Sequence, residues 1–205
     1  MMVQADKAPL NKLLITGLGR SGTSAVASAV RSLGYHMPFA SKMANNEDFT
    51  LRALLEQQDY QGIKLELEAR CKTNPLVAWK DPKLFGGIGE KLLEVLDDDW
   101  AYLIVFRDPL SVGLRNVKSG GGDLDTALLQ AVKNQGKLAN FYLKAKQSRR
   151  VLLVSYEKLA TNFDETIAEI TGFLGFKYNK DDIDSLRKSM SADHTRYLQA
   201  QPGER

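Results

Sequence analysis

The sequence predicts an α/β protein in which a mainly parallel sheet lies between two layers of helices. Short apolar runs alternate along the chain with segments whose apolar residues recur at helical spacing. The short runs are continuously apolar, which is typical of strands that crossover helices cover on both faces. The 205 residues suffice for one sizeable core, so a single domain is expected over 1–205, with a loose tail at 1–11 and a polar tail at 191–205.

Each element follows from one of these two patterns. The continuous apolar runs predict strands at 13–16, 76–79, 101–106 and 151–154. Helical spacing predicts helices at 23–33, 46–58, 61–72, 88–96, 110–118, 124–146, 163–174 and 181–190. A glycine break at 119–122 separates two of these helices, because glycine favours a flexible or tightly turning loop.

Composition excludes several classes of protein. The net charge of +3 suits a small anionic ligand and is too weak and dispersed for a nucleic-acid-binding surface. Cys71 is the single cysteine, so no intrachain disulfide can form, and with only His36 and His194 beside it a cysteine/histidine zinc site is excluded. Neither a signal-peptide pattern nor an apolar stretch of about 18 residues is present, so a cytoplasmic protein without a transmembrane segment is expected.

Three of the predicted strands end in charged or glycine-rich loops. These loops contain residues 17–20, Lys80-Asp81-Pro82-Lys83 and Arg107-Asp108-Pro109. Ligands of parallel α/β sheets bind at the carboxyl ends of the strands, so the loops are expected to converge on one rim. Asp81 and Asp108 each precede a proline and are expected to be turn or cap carboxylates.

Residues 17–24, which we call the phosphate loop, fit the pattern G-x-x-x-x-G followed by two hydroxyl residues. Glycines let the backbone fold closely around an anion, and the amides and dipole at the start of the following helix attract it. Thr23 stands where ATPases carry lysine, and the cation of the loop is Arg20, which can grip a terminal anionic group with two hydrogen bonds. The loop predicts a P-loop-like nucleotide-binding fold.

Four motifs occur in a fixed order along residues 13–176. They are R-S-G-T-S at 20–24, W-K-D-P-K at 79–83, F-R-D-P at 106–109 and Y-E-K-L at 156–159. Together they resemble the bacterial sulfotransferases that use 3′-phosphoadenosine 5′-phosphosulfate (PAPS). In that family the first motif binds the 5′-phosphosulfate, and the arginine of the third holds the 3′-phosphate.

The resemblance implies an enzyme that moves a sulfuryl group from PAPS to a hydroxyl or amine of a small-molecule or glycan acceptor, without a metal. Arg20 and Lys80 are then catalytic cations. The family's serine, eight residues after Arg107, is replaced by Arg115, and the nearest serine is Ser111. The residues that the resemblance assigns to the donor are Gly19, Arg20, Ser21, Gly22, Thr23, Ser24, Arg107, Ser111 and Arg115.

The general base is expected at the start of the helix predicted at 46–58, where bacterial members of the family often carry an acidic residue. Glu47 is the first candidate and Asp48 the second, although both can instead stabilise the helix dipole. His36 and His194 are further candidates.

Two other functions stay open at this stage. One is a P-loop kinase or another nucleoside-phosphate transferase, which would require magnesium and which the missing lysine disfavours. The other is a catalytically silent protein that has kept the nucleotide-binding loop, which would bind its ligand without turnover.

Overall fold

A parallel sheet forms the centre of the structure, a computed structural model that describes residues 9–38, 47–177 and 181–188. Within these residues the strands lie in the order β2-β1-β3-β4. Their bounds are Lys12–Gly17 for β1, Val77–Lys80 for β2, Ala101–Phe106 for β3 and Val151–Ser155 for β4. From β1 the chain first goes outward to β2 and then returns to β3 on the other side. The strand order therefore reverses between β1 and β3, and a crevice is expected at their carboxyl ends.

Helices connect the strands and cover both faces of the sheet. They are α1 (Thr23–Ser32), α2 (Phe49–Glu56), α3 (Tyr60–Thr73), α4 (Gly86–Val95), α5 (Pro109–Gly120), α6 (Leu124–Ala145), α7 (Tyr156–Thr161) and α8 (Phe163–Leu174). Residues 181–188 are also helical. The sequence did not predict α7 as a separate helix. The predicted glycine break shrinks, because α5 continues to Gly120 and only Gly121 and Gly122 turn with positive φ angles of 74° and 100°.

Side chains of the strands enter two separate cores. Leu13 and Ile15 of β1 point to the face that α1 and α8 cover, whereas Leu14 points to the face that α2, α3, α4 and α6 cover. All three are 0% exposed. Each such side chain contributes about 1.5–3 kcal/mol by leaving water. Burial on both faces explains why the strands are continuously apolar, and it confirms the predicted three-layer α/β architecture.

The loops that follow the carboxyl ends of β1, β2 and β3 are charged or glycine-rich. In the parts of the chain that the structure describes, no helix is both long enough and apolar enough to cross a membrane.

Candidate active site

The phosphate loop connects β1 to α1 at the crevice between β1 and β3. Gly22 is the N-cap of α1 with φ 95° and ψ 12°, and Arg20 also has a positive φ, of 70°. Left-handed residues on either side of Ser21 fold the backbone into the curled form that turns successive amides toward an anion. The positive end of the α1 dipole adds to this potential. The local geometry is therefore suited to a phosphate or sulfate group.

Two glycines let the loop lie directly against its neighbours. A Cβ on Gly22 would be 2.0 Å from the ring of Tyr156 in α7. A Cβ on Gly17 would be 2.5 Å from the carbonyl oxygen of Val105 in β3. Gly19 differs from both, because a Cβ there would meet nothing within 4 Å. The first two glycines are required by packing, and Gly19 faces open space.

Arg107 spans the crevice from the end of β3. Its Nη1 donates to the carbonyl oxygen of Arg20 at 2.9 Å, and its guanidinium lies 4.4 Å from the centroid of the Tyr156 ring. The carbonyl oxygen of Arg107 accepts from Gln135 Nε2 at 3.3 Å. The structure thus joins two of the predicted site residues, Arg20 and Arg107.

Two buried polar atoms at this crevice have no hydrogen-bond partner among the described residues. They are the hydroxyl oxygen of Ser21 and Nε of Arg107. Buried polar groups are almost always paired, so each unpaired one needs an explanation. An anionic ligand that accepts hydrogen bonds would satisfy both donors, and the residues present therefore fit the phosphate groups of the predicted donor.

A second cluster of charges lies at the carboxyl end of β2. Glu47 accepts from Lys80 at 3.2 Å through Oε1 and from Arg52 of α2 through Oε2. Nε of Arg52 also lies 3.3 Å from Oδ2 of Asp81, an ion pair without hydrogen-bond geometry. We call Glu47, Arg52, Lys80 and Asp81 the charge network. It combines two cations with two carboxylates.

Burial affects the two groups at the end of β2 in opposite directions. It lowers the pKa of Lys80, although the charges of Glu47 and Asp81 act against this shift. It raises the pKa of Asp81, although the Lys83 amide and the Arg52 charge act against it. Low solvent exposure disfavours the charged form of both groups, which makes each of them dependent on its partners in the network.

Asp48 faces away from this network. Its Oδ1 accepts from the Leu51 amide at 3.0 Å and caps α2, and its Oδ2 accepts from Arg70 of α3. Glu47, one residue earlier, faces Lys80 instead. The structure therefore separates the two acidic candidates, with Asp48 in a helix cap and Glu47 beside a catalytic candidate.

The histidine candidates are placed differently. His36 is exposed and pairs with Val77 at the amino end of β2, whereas Lys80 lies at the carboxyl end. Three residues of strand separate these ends by about 10 Å. His36 is thus not brought together with the other site residues. His194 lies outside the described residues.

The first turns of α5 carry the remaining predicted donor residues. Asp108 caps this helix by accepting from the Ser111 amide at 2.7 Å, and this hydrogen bond lowers the pKa of Asp108. Asp108 is thus a cap carboxylate, as its position before Pro109 predicts. Ser111 and Arg115 are four residues apart in α5 and lie on one face of it.

Comparison with known proteins gives a match to one family model over part of the chain and one shared fold. Residues 137–203 match the model of the sulfotransferase domain family. No relative is found among curated protein sequences. The structure of mouse sulfotransferase SULT7A1 complexed with PAP aligns with a TM-score of 0.60 at 14% identity, covering 95% of this chain and 69% of that chain. The sulfotransferase domain of the Synechococcus PCC 7002 olefin synthase aligns with a TM-score of 0.61 at 16% identity, covering 100% of this chain and 90% of that chain.

A third structure, retinol dehydratase in complex with androsterone and inactive cofactor PAP, aligns with a TM-score of 0.52 at 14% identity. It covers 95% of this chain and 71% of that chain. The chain has the sulfotransferase fold. This confirms the fold class that the sequence predicts, and the family match at 137–203 agrees with the resemblance of the motifs.

The sequence did not predict the contacts that three further side chains make around the site. Arg52 is four residues after Asp48 and would be expected to pair with it, yet the structure pairs Arg52 with Glu47. Gln135 lies in the middle of a long helix, and nothing local indicates its contact with Arg107. Tyr156 belongs to a recognised motif, but its packing against Gly22 depends on tertiary contacts.

Proposed function

We propose that this protein is a PAPS-dependent sulfotransferase, which moves the sulfuryl group of PAPS to a hydroxyl or amine of its acceptor. The observation that carries the proposal is the hydrogen bond of 2.9 Å from Arg107 to the carbonyl oxygen of Arg20. It links the residues that the resemblance assigns to the 3′-phosphate and to the 5′-phosphosulfate. The family match at 137–203 and the sulfotransferase fold support the same conclusion.

The donor would be held from both sides of the β1–β3 crevice. The amides of the phosphate loop, with the hydroxyls of Ser21, Thr23 and Ser24, bind the 5′ end, and the open space beside Gly19 admits it. Arg107 binds the 3′-phosphate, which also distinguishes PAPS from ATP. Ser111 and Arg115 are a second set of donors for this phosphate, since they share one face of α5.

Transfer requires little more than positioning and charge stabilisation. PAPS supplies a sulfuryl group whose bond to the 5′-phosphate is readily broken. Arg20 and the loop amides stabilise the negative charge on the departing phosphate, and Lys80 adds a cation at the same rim. Glu47 accepts the proton of the acceptor, because it is the candidate carboxylate that lies beside Lys80.

The acceptor in this proposal is a small molecule or a glycan. That the reaction needs no metal stays a prediction, as does the cytoplasmic location that the sequence indicates. The kinase alternative is disfavoured by Thr23, which stands in place of the phosphate-binding lysine.

Calorimetry with adenosine 3′,5′-bisphosphate (PAP), in the absence of metal, tests the proposal. The wild type is expected to bind PAP, and Arg107→Ala is expected to abolish that binding. Arg150→Ala is a matched control, since Arg150 also lies over an aromatic ring and donates to a carbonyl oxygen, but at Phe173. It should bind PAP like the wild type. Absence of PAP binding, with ATP bound only in the presence of magnesium, would replace the proposal by a kinase function.

A further inference from the structure

Each oxygen of the Glu47 carboxylate contacts a different cation. Arg52 binds Oε2, and Lys80 binds Oε1 at 3.2 Å. The Glu47 side chain is 8% exposed and that of Lys80 is 3% exposed, so water competes little with these contacts. The two oxygens of one carboxylate are therefore held by chemically different partners.

The two cations differ in what else they contact. Arg52 contacts Glu47 through Nη1 and lies beside Asp81 through Nε, and Asp81 is itself fixed by the Lys83 amide at 2.8 Å. A guanidinium presents its donors in a fixed planar fork, so its position beside Asp81 limits how it can turn at Glu47. Lys80 instead presents a single ammonium to Glu47. Oε2 of Glu47 is thus held by the bridging cation, whereas Oε1 faces a point charge.

The helix that carries Arg52 is fixed independently. Asp48 caps α2 and is bound by Arg70 of α3, whose side chain is 9% exposed. This pair keeps the first turn of α2 in place without contributing to the charge network. The position of Arg52 relative to β2 therefore depends on helix packing and not only on its partners.

We infer that Arg52 is a positioning residue that holds Oε2 of Glu47, so that Oε1 is the oxygen that receives the acceptor's proton. This inference rests on the proposed function for the transfer step. In that step the acceptor O–H bond breaks, its proton bonds to Oε1, and the acceptor oxygen bonds to sulfur. The electron pair of the broken sulfur–oxygen bond leaves with the phosphate of the donor.

Arg52 also contributes to the charge around Glu47. The charged groups that lie against Glu47 include Arg52 from α2 and Lys80 and Asp81 from the end of β2. Without Arg52, Oε2 of Glu47 would lose its guanidinium partner, while Lys80 would still face Oε1. Loss of Arg52 should therefore lower kcat and leave donor binding unchanged, which a purely structural role would not do.

Carbon-13 NMR of the glutamate carboxyl groups tests this without knowledge of the acceptor. The Glu47 signal is assigned as the one that Glu47→Gln removes. In Arg52→Gln the chemical shift of this signal, measured at one fixed pH, is expected to change relative to the wild type, because Oε2 loses its guanidinium partner. Arg187→Gln is the matched control, because it removes an arginine–carboxylate pair with Asp164 of α8, on the other face of the sheet, and should leave the shift unchanged. An unchanged shift in Arg52→Gln would overturn the inference.

Arg52→Lys is the second variant, in case Arg52→Gln does not fold. Lysine keeps the charge but cannot bridge Glu47 and Asp81, so PAP binding should stay and kcat should fall, by up to about 100-fold for a misplaced group. The kcat measurement uses PAPS with simple alcohols and phenols as acceptors. Normal kcat in Arg52→Lys would contradict positioning. Failure of the wild type to bind PAP would instead reject the proposed function, because the NMR chemical shift reports on Arg52 separately.

Discussion

The two halves of the candidate site are built on opposite principles. At the β1–β3 crevice the hydroxyl of Ser21 and Nε of Arg107 are buried without a partner among the described residues. At the end of β2, every charge of the charge network faces an opposite charge within the protein. A ligand can complete the first region, whereas it must compete with existing ion pairs in the second.

In the proposed group transfer, the donor and the acceptor would need binding sites of these two different kinds. The donor brings its own negative charge, so its binding site needs unpaired donors. The acceptor brings a neutral hydroxyl or amine, so its site needs a carboxylate whose ionisation is already supported by cations. Four substitutions test this contrast, beginning with the one that should have the greatest effect.

Glu47→Gln should remove the proton acceptor and lower kcat by about 10²–10⁴-fold, the usual contribution of a general base. PAP binding should persist, because the crevice is untouched. Asp48→Asn is the comparison, since Asp48 caps α2 and should affect stability more than rate. Steady-state kinetics and calorimetry measure both quantities. Equal kcat values for Glu47→Gln and the wild type would remove Glu47 from the mechanism.

Gly22→Ala should disrupt the proposed donor site at the β1–β3 crevice. The added Cβ would meet the Tyr156 ring at 2.0 Å, and Gly22 has a φ of 95° that alanine rarely adopts. We expect a loss of about 1–3 kcal/mol in the free energy of unfolding and a marked loss of PAP affinity. Gly19→Ala, where the Cβ meets open space, should keep wild-type stability. Thermal unfolding of the two variants checks the difference.

Asp81→Asn should change the pH dependence of stability. Because the pKa of Asp81 is raised above its ordinary 3.8, the folded state binds its proton more tightly than the unfolded state does. The stability that Asp81 contributes is therefore highest below that ordinary value and is lost as pH rises through the folded-state pKa. The difference in unfolding free energy, wild type minus Asp81→Asn, should fall as pH rises above about 4. A difference that grows with pH would mean that Arg52 outweighs burial.

Tyr156→Leu should weaken PAP binding only slightly. It removes the ring over which the Arg107 guanidinium lies at 4.4 Å, and such a contact contributes about 0.5–1 kcal/mol near a surface. A two- to fivefold rise in the dissociation constant is about that size. Tyr156→Phe keeps the ring and should bind PAP as the wild type does. A loss as large as that of Arg107→Ala would show that Tyr156 contacts the ligand directly.

Much of the fold could be predicted because it depends on local patterns. The continuous apolar run at 101–106 predicted a strand with the observed bounds, and the glycines at 17–22 predicted the turn that precedes α1. The α7 helix was missed, because it is only six residues long and follows β4 without a break. Short helices give too few turns for their periodicity to be detected.

Periodicity and motifs within a few residues predicted the fold class, the loop at 17–24 and, through the family resemblance, the residues proposed to bind the donor. The tertiary structure set the strand order β2-β1-β3-β4, which makes Arg107 meet Arg20 across 87 residues of sequence. It also decided that Glu47 faces Lys80, 33 residues away, while Asp48 caps a helix. Adjacent residues of a chain have opposite surroundings once it folds, because backbone direction and packing, not sequence distance, set where each side chain points.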